Sequence, residues 1–165
     1  MITLKIASAT DVPTIREIAF KTWPNTYGEI LPQEQLDYML DKFYEPALLE
    51  ESIRNGHIFT MAYEDDFCLG YAGYQHNYQD KNATRLNKLY LLPEAQGKGM
   101  GKILIDVVVA AAKEKEADIV TLNVNRFNKA ASFYKKMGFE IVAEADIELD
   151  HGYLMEDFIM EMKVK

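Results

Sequence analysis

The spacing of hydrophobic and polar residues changes period twice along this chain. Ile2-Thr-Leu-Lys-Ile6 alternates in the two-residue rhythm of a strand, which Ser8 to Pro13 ends. Apolar residues then return at helical spacing. Thr10 and Asp11 are capping residues ahead of Pro13, Ile15, Ile18 and Ala19 share one side, and the helix is expected to run to about Lys21 before Pro24 and Gly28 break it. Leu36, Met39, Leu40 and Phe43 mark a second helix opened by Leu31-Pro32, with a further helical stretch from Pro46 to Arg54 stopped by Asn55-Gly56. From residue 57 the period is two again. Residues 57–63 and 68–77 read as a hairpin about Glu64-Asp65-Asp66, and 84–92 as a further strand closed by Pro93. Residues 102–116 form a strong helix, 119–124 a strand, and 129–137 a short helix stopped by Gly138. Residues 139–148 and 153–164 close the chain as a hairpin about Asp150-His151-Gly152. The order β-αα-βββ-α-β-α-ββ implies an α/β (α+β) fold with one central mixed sheet.

Composition narrows this without changing it. The chain has 165 residues, 48% hydrophobic and 27% charged, as in a folded soluble protein. At this length one core buries roughly 70% of the extended surface, so residues 1–165 are expected to form a single domain. The richest apolar stretch, 103–112, contains Asp106 and falls short of the ~20 residues that a membrane span needs. The opening MITLKIASATD has no basic patch followed by an apolar run, and Cys68 stands alone, so a cytoplasmic setting is expected. A net charge of −8 argues against nucleic-acid binding.

The segment with the most chemical content is Leu89-Tyr-Leu-Leu-Pro-Glu-Ala-Gln96-Gly97-Lys98-Gly99-Met100-Gly101-Lys102. It reads as a strand, a glycine-rich turn and the start of a helix. Glycines at alternate positions let successive N–H groups converge on an anion, and the helix adds its positive end. A diphosphate suits such a nest; a plain strand-to-helix turn is the other reading. A P-loop and a dinucleotide fingerprint would each need a glycine at 102, where Lys102 stands. What fits is Q-x-x-G-x-G at Gln96, Gly99 and Gly101.

With this turn and the downstream segment Leu122-Asn-Val124-Asn-Arg-Phe-Asn128-Lys-Ala-Ala131-Ser-Phe133-Tyr134-Lys-Lys-Met-Gly138-Phe139, the chain resembles the GNAT superfamily of N-acetyltransferases. The segment follows that family's L-x-V-x-x-x-N-x-x-A-x-x-F-Y-x-x-x-G-F pattern, and the element order agrees over nearly the whole chain. The resemblance implies a mostly antiparallel mixed sheet, splayed at the cofactor site and flanked by helices. It implies acetyl-coenzyme A as acetyl-donor co-substrate, bound by Leu91, Leu92, Gln96, Gly97, Lys98, Gly99, Met100, Gly101, Lys102, Asn128 and Tyr134, and no metal. Asn128 also sits where a helix cap is expected. Ala130, Phe133, Tyr134 and Met137 form one apolar helix face, so Tyr134 is either a core tyrosine or, as the resemblance implies, the acid that protonates the departing thiolate.

Direct transfer needs a deprotonated amine. At pH 7 only about one lysine-like amine in 2,500 is neutral, so a base must serve it. Strand-end N–H groups around Leu91 and Leu92 are candidates to polarise the thioester carbonyl. Residues 85–92 carry no acid, so the base some members of the family hold there has no counterpart; His76, Glu156 and Asp157 are the candidates. Cys68 reads as a small core residue. The resemblance puts the acceptor between residues 23–43 and 146–160, where Trp23, Tyr27 and Tyr38 accompany Glu29, Glu34, Asp37, Asp146, Glu148, Asp150, Glu156 and Asp157. That mixture suits a small cationic amine such as a polyamine, and the region resembles bacterial spermidine/spermine-type enzymes. Protein amines, amino acids and aminoglycosides are alternatives, as is an acetyl-coenzyme A sensor without turnover. The partner expected is a small-molecule amine, with the protein as a monomer or homodimer and no nucleic acid or membrane.

Overall fold

The computed structural model describes all 165 residues. Seven strands form one sheet in the order β1-β2-β3-β4-β5-β7-β6. They are β1 (Ile2–Ile6), β2 (Ile58–Glu64), β3 (Phe67–Gln75), β4 (Ala83–Leu91), β5 (Ile119–Asn125), β6 (Glu140–Glu148) and β7 (Leu154–Lys163). Every neighbouring pair is antiparallel except β4 and β5. Five helices accompany them: α1 (Val12–Tyr27), α2 (Gln33–Phe43), α3 (Pro46–Arg54), α4 (Met100–Glu114) and α5 (Ala130–Met137). Tyr90 meets Trp23 of α1, whereas the next residue, Leu91, lies against Gly101 of α4. Successive strand residues point to opposite faces, so α1 and α4 cover opposite sides of the sheet. The apolar faces read from the sequence do the packing: Ile15, Ile18 and Ala19 of α1, Leu36 and Leu40 of α2, and Leu104, Ile105 and Val108 of α4 belong to one buried cluster.

Two details differ from the sequence reading. Helix α1 does not stop before Pro24 but continues through it to Tyr27. Proline removes one N–H donor from the helix, yet Trp23 is buried among Tyr27, Phe43, Tyr44 and Tyr90, and that packing outweighs the local preference. The Asp11 side chain does not cap α1 directly. It accepts a hydrogen bond from the Ser8 N–H at 2.9 Å and pairs with Lys5 at 3.1 Å, closing the turn that precedes the helix.

Two irregularities of β4 create the site. Gly73 and Tyr74 of β3 pair with Lys88 and Leu86, so Asn87 is an extra residue on β4. A bulge of this kind shifts the phase of the strand; Arg85 and Lys88, three residues apart, consequently line the same cavity. Secondly, β4 pairs with β5 only from Ala83 to Leu86, against Ile119 to Leu122. Beyond that point the two strands part.

Candidate active site

The parting strands open into a cleft of about 640 Å³, walled by the end of β4, the glycine turn, the start of α4, β5 and α5. Gly97 and Gly99 take positive φ angles of 77° and 71°, which only glycine holds without strain. Gly101 is needed for closeness instead: a Cβ there would stand 3.2 Å from the Phe133 ring. Helix α4 begins at Met100, two residues before the position read from the pattern, so its positive end faces the cleft directly. Gln96, Gly97, Gly99, Met100, Gly101 and Lys102 all line the cleft, as do Leu91, Asn128 and Tyr134.

Two residues expected in the cleft lie elsewhere. The Leu92 N–H donates to the Leu69 carbonyl at 2.8 Å, which leaves no donor for a thioester oxygen, and the residue lines a different surface hollow. Lys98 turns outward and pairs with Glu64 at 2.7 Å, because its neighbours Gly97 and Gly99 twist the backbone between them. Asn128 does accept a helix-end hydrogen bond, from the Ala130 N–H at 2.9 Å, although the helix boundary residue is Lys129. The Tyr134 ring is buried against Phe133 and Phe139. Its hydroxyl has no hydrogen-bond partner in the protein, and burial, with a smaller push from Tyr27, holds its phenol above the ordinary range. A cleft with a diphosphate-sized nest at one end and an unpartnered buried phenol at the other fits acetyl-coenzyme A.

On the α1 side lies a second cavity of about 120 Å³. The two cavities share Tyr27, Asn87, Lys88, Tyr90 and Asn123, so one wall divides them. Trp23, Phe43 and Tyr44 make this chamber aromatic. Among the carboxylates read as acceptor ligands, only Asp157 lines it. Asp150 binds Tyr38 and Lys42, Asp146 and Glu156 gather on Arg126, and Asp37 accepts from Gln33. Burial raises the Asp157 carboxyl, opposed by a hydrogen bond from Asn123 at 3.4 Å and the charges of Arg85 and Arg126. His76 is bonded to Thr84 at 2.8 Å and lines neither cavity. Of the three candidate bases, therefore, only Asp157 reaches the site. Cys68 is half-buried, its thiol pushed up by burial, and lines a separate hollow.

The sequence reading overlooked Lys88. It borders both cavities, has no carboxylate or hydrogen-bond partner, and lies over the Tyr44 ring at 5.4 Å. Burial, reinforced by Arg85, lowers its amine to about 8. The signal was present: Arg85-Leu-Asn87-Lys88 breaks the alternation of the strand, as a bulge does. Behind the chamber wall, Trp23 Nε1, Tyr44 OH and Asn87 Nδ2 are buried without a hydrogen-bond partner.

Known proteins share this arrangement. The model of the acetyltransferase (GNAT) family matches residues 12–139. A spermidine N(1)-acetyltransferase from Thermoplasma acidophilum is 30% identical, the match covering 98% of this chain and 97% of the relative. The crystal structure of the PaiA N-acetyltransferase from that organism, in complex with coenzyme A, superposes with a TM-score of 0.82 at 29% identity over 99% of both chains. The ribosomal-protein-S18-alanine N-acetyltransferase of Escherichia coli shares the fold, with a TM-score of 0.74 at 15% identity over 100% of this chain and 95% of its own. The glycine turn, the split between β4 and β5 and these matches together make the chain a member of the GNAT family, an enzyme that uses acetyl-coenzyme A to acetylate an amine.

Proposed function

We propose that the chain acts as one domain that acetylates a terminal primary amine of a small aliphatic polycation, a polyamine of the spermidine class. The observation that carries this reading is the shared wall: the acetyl-coenzyme A cleft opens beside an aromatic chamber whose one carboxylate is Asp157. Aromatic faces attract an alkylammonium and Asp157 supplies the counter-charge. The spermidine-acetylating relative supports the same choice. A second reading is favoured by Arg85: an amine that also bears a carboxylate.

Acetyl-coenzyme A supplies the activated acetyl group; the protein's residues hold it and manage protons. The N–H groups of the glycine turn and the first turn of α4 hold the pyrophosphate, with Gln96 and Lys102 beside them. Asn128 holds the pantetheine arm. The strand end at Leu91 polarises the carbonyl. Tyr134 donates to the departing sulfur. Its raised pKa keeps the proton in place at every working pH, and transfer is completed as the acetylated nitrogen returns a proton to the phenol oxygen. The site works within the cytoplasm in this reading, as a monomer or homodimer.

Thiol release from acetyl-coenzyme A across a panel of polyamines, amino acids, aminoglycosides and peptides tests the proposal. Release with spermidine-type amines and little with the others is the expected result. Release confined to amino acids supports the carboxylate-bearing acceptor, and release confined to peptides overturns both.

A further inference from the structure

The unexplained group of this site is Lys88. Lys88 is half-buried, and a cation drawn out of water into the wall of a cavity usually has a partner, because losing hydration without one is costly. Lys88 has none: no carboxylate lies within 4.0 Å, and no side chain or carbonyl accepts from it. The bulge at Asn87 turns it to the chamber side, against the wall shared with the cleft. An acceptor amine reaching a thioester in that cleft must pass this wall.

We propose that Lys88 takes the proton from the acceptor's ammonium, so that two amines in one desolvated chamber share a single proton and the acceptor is the one left neutral to attack. This rests on the amine-acetylation reading above. The charged and titratable groups around Lys88 are Arg85 and Tyr90 on β4, Tyr27 on α1, Tyr44 at the end of α2, Asp157 on β7 and His57 just ahead of β2. Arg85 and the surrounding protein disfavour the charged lysine, and the Lys88 charge in turn lowers His57. Asp157, the one acid, answers to Arg85 and Arg126 rather than to Lys88. A second ammonium entering the chamber adds repulsion, and like charges in a shared site cannot both persist. With its amine lowered to about 8, Lys88 is neutral in about one molecule in ten at pH 7, far more often than a free alkylamine.

The protons balance. The acceptor R–NH3⁺ gives one proton to the neutral Lys88 amine. R–NH2 then attacks the carbonyl carbon, the C–N bond forms, and the C–S bond breaks. The sulfur takes the Tyr134 proton, the nitrogen's second proton restores the phenol, and Lys88 later releases its proton to solvent. The net products are the amide, coenzyme A thiol and one proton.

The test is the pH profile of kcat/KM for a polyamine, in the wild type, Lys88→Met and Lys88→Arg, with thermal melting and acetyl-coenzyme A affinity as controls. The wild type should climb about tenfold per pH unit and level off near 8. Lys88→Met should be about 100-fold slower at pH 7 and keep climbing toward the acceptor's own pKa near ~10.4. Lys88→Arg keeps a cation that cannot give up its proton and should fail likewise. An alkoxyamine acceptor, already neutral at pH 7, should restore both variants to within a few-fold of wild type. A Lys88→Met enzyme with the wild-type break and turnover overturns the role of Lys88, as does an equal loss with both acceptors. A wild type that binds acetyl-coenzyme A but acetylates no amine overturns the underlying reading, and this one with it.

Discussion

The glycine-turn cleft and the aromatic chamber share a wall but are built from different materials. The cleft is made largely of backbone: positive-φ glycines, the first turn of α4, and a strand end released from its neighbour. The chamber is made of side chains drawn from α1, α2, β4 and β7, with Trp23 and Tyr44 packed edge to face and Asp157 buried at one side. Backbone sites need particular residues at fixed spacing, so they leave a motif. Side-chain sites need only shape and charge from distant segments, so they leave almost none.

The sharpest break between the two halves should come from Tyr134→Phe. Removing the hydroxyl is expected to lower kcat by about 100-fold or more while acetyl-coenzyme A affinity stays within about twofold, measured by steady-state kinetics and calorimetry. Gly101→Leu attacks the other material. Crowding Phe133 and Leu91 should weaken acetyl-coenzyme A binding by about 10- to 100-fold, with the amine KM little changed. Asp157→Asn belongs to the chamber alone, and should raise the amine KM about tenfold. Because burial holds the Asp157 carboxyl above its ordinary value, the ionised form opposes folding. The wild type should gain stability as pH falls from neutrality through that raised value, and the asparagine variant should melt higher at pH 7 and lose that trend.

Asp11→Ala is the smallest change and touches neither cavity. It should cost about 1 kcal/mol, read as a drop of a few degrees in Tm with kinetics unchanged. Burial alone would raise Asp11, but the Ser8 N–H and Lys5 outweigh it and the net shift is downward. The wild type should therefore keep this contribution above the unfolded carboxylate value of ~3.9 and lose it as pH falls through the lowered folded value.

Most of the fold was legible because amphipathic periods and stop signals agree: Asn55-Gly56, Pro93 and Gly138 end elements where expected. Pro24 misled because a buried aromatic cluster, assembled from α1, the end of α2 and β4, holds α1 together past it. The glycine turn was legible as a break between strand and helix, although α4 starts two residues early and Lys98 and Leu92 have their side chain and N–H engaged elsewhere. The acceptor site was not. Acidic residues were counted along the chain, but only tertiary structure separates Asp157 from carboxylates occupied by Lys42, Arg126 or Gln33. For Lys88 the broken alternation marked the bulge, but its lowered amine comes from its surroundings in the folded protein, which a strand sequence does not print.

The early end of the β4–β5 pairing has a cost outside catalysis. From Asn87 to Leu91 the middle of the sheet presents an edge rather than a neighbour. Edges recruit extended chains from other molecules, the route by which β proteins aggregate. The cleft proposed to take acetyl-coenzyme A opens at that edge. Preparations stripped of that molecule should clump on warming sooner than saturated ones, which at a hundred times Kd gain about 2.7 kcal/mol. That outcome would make the donor molecule a chaperone for the fold that consumes it.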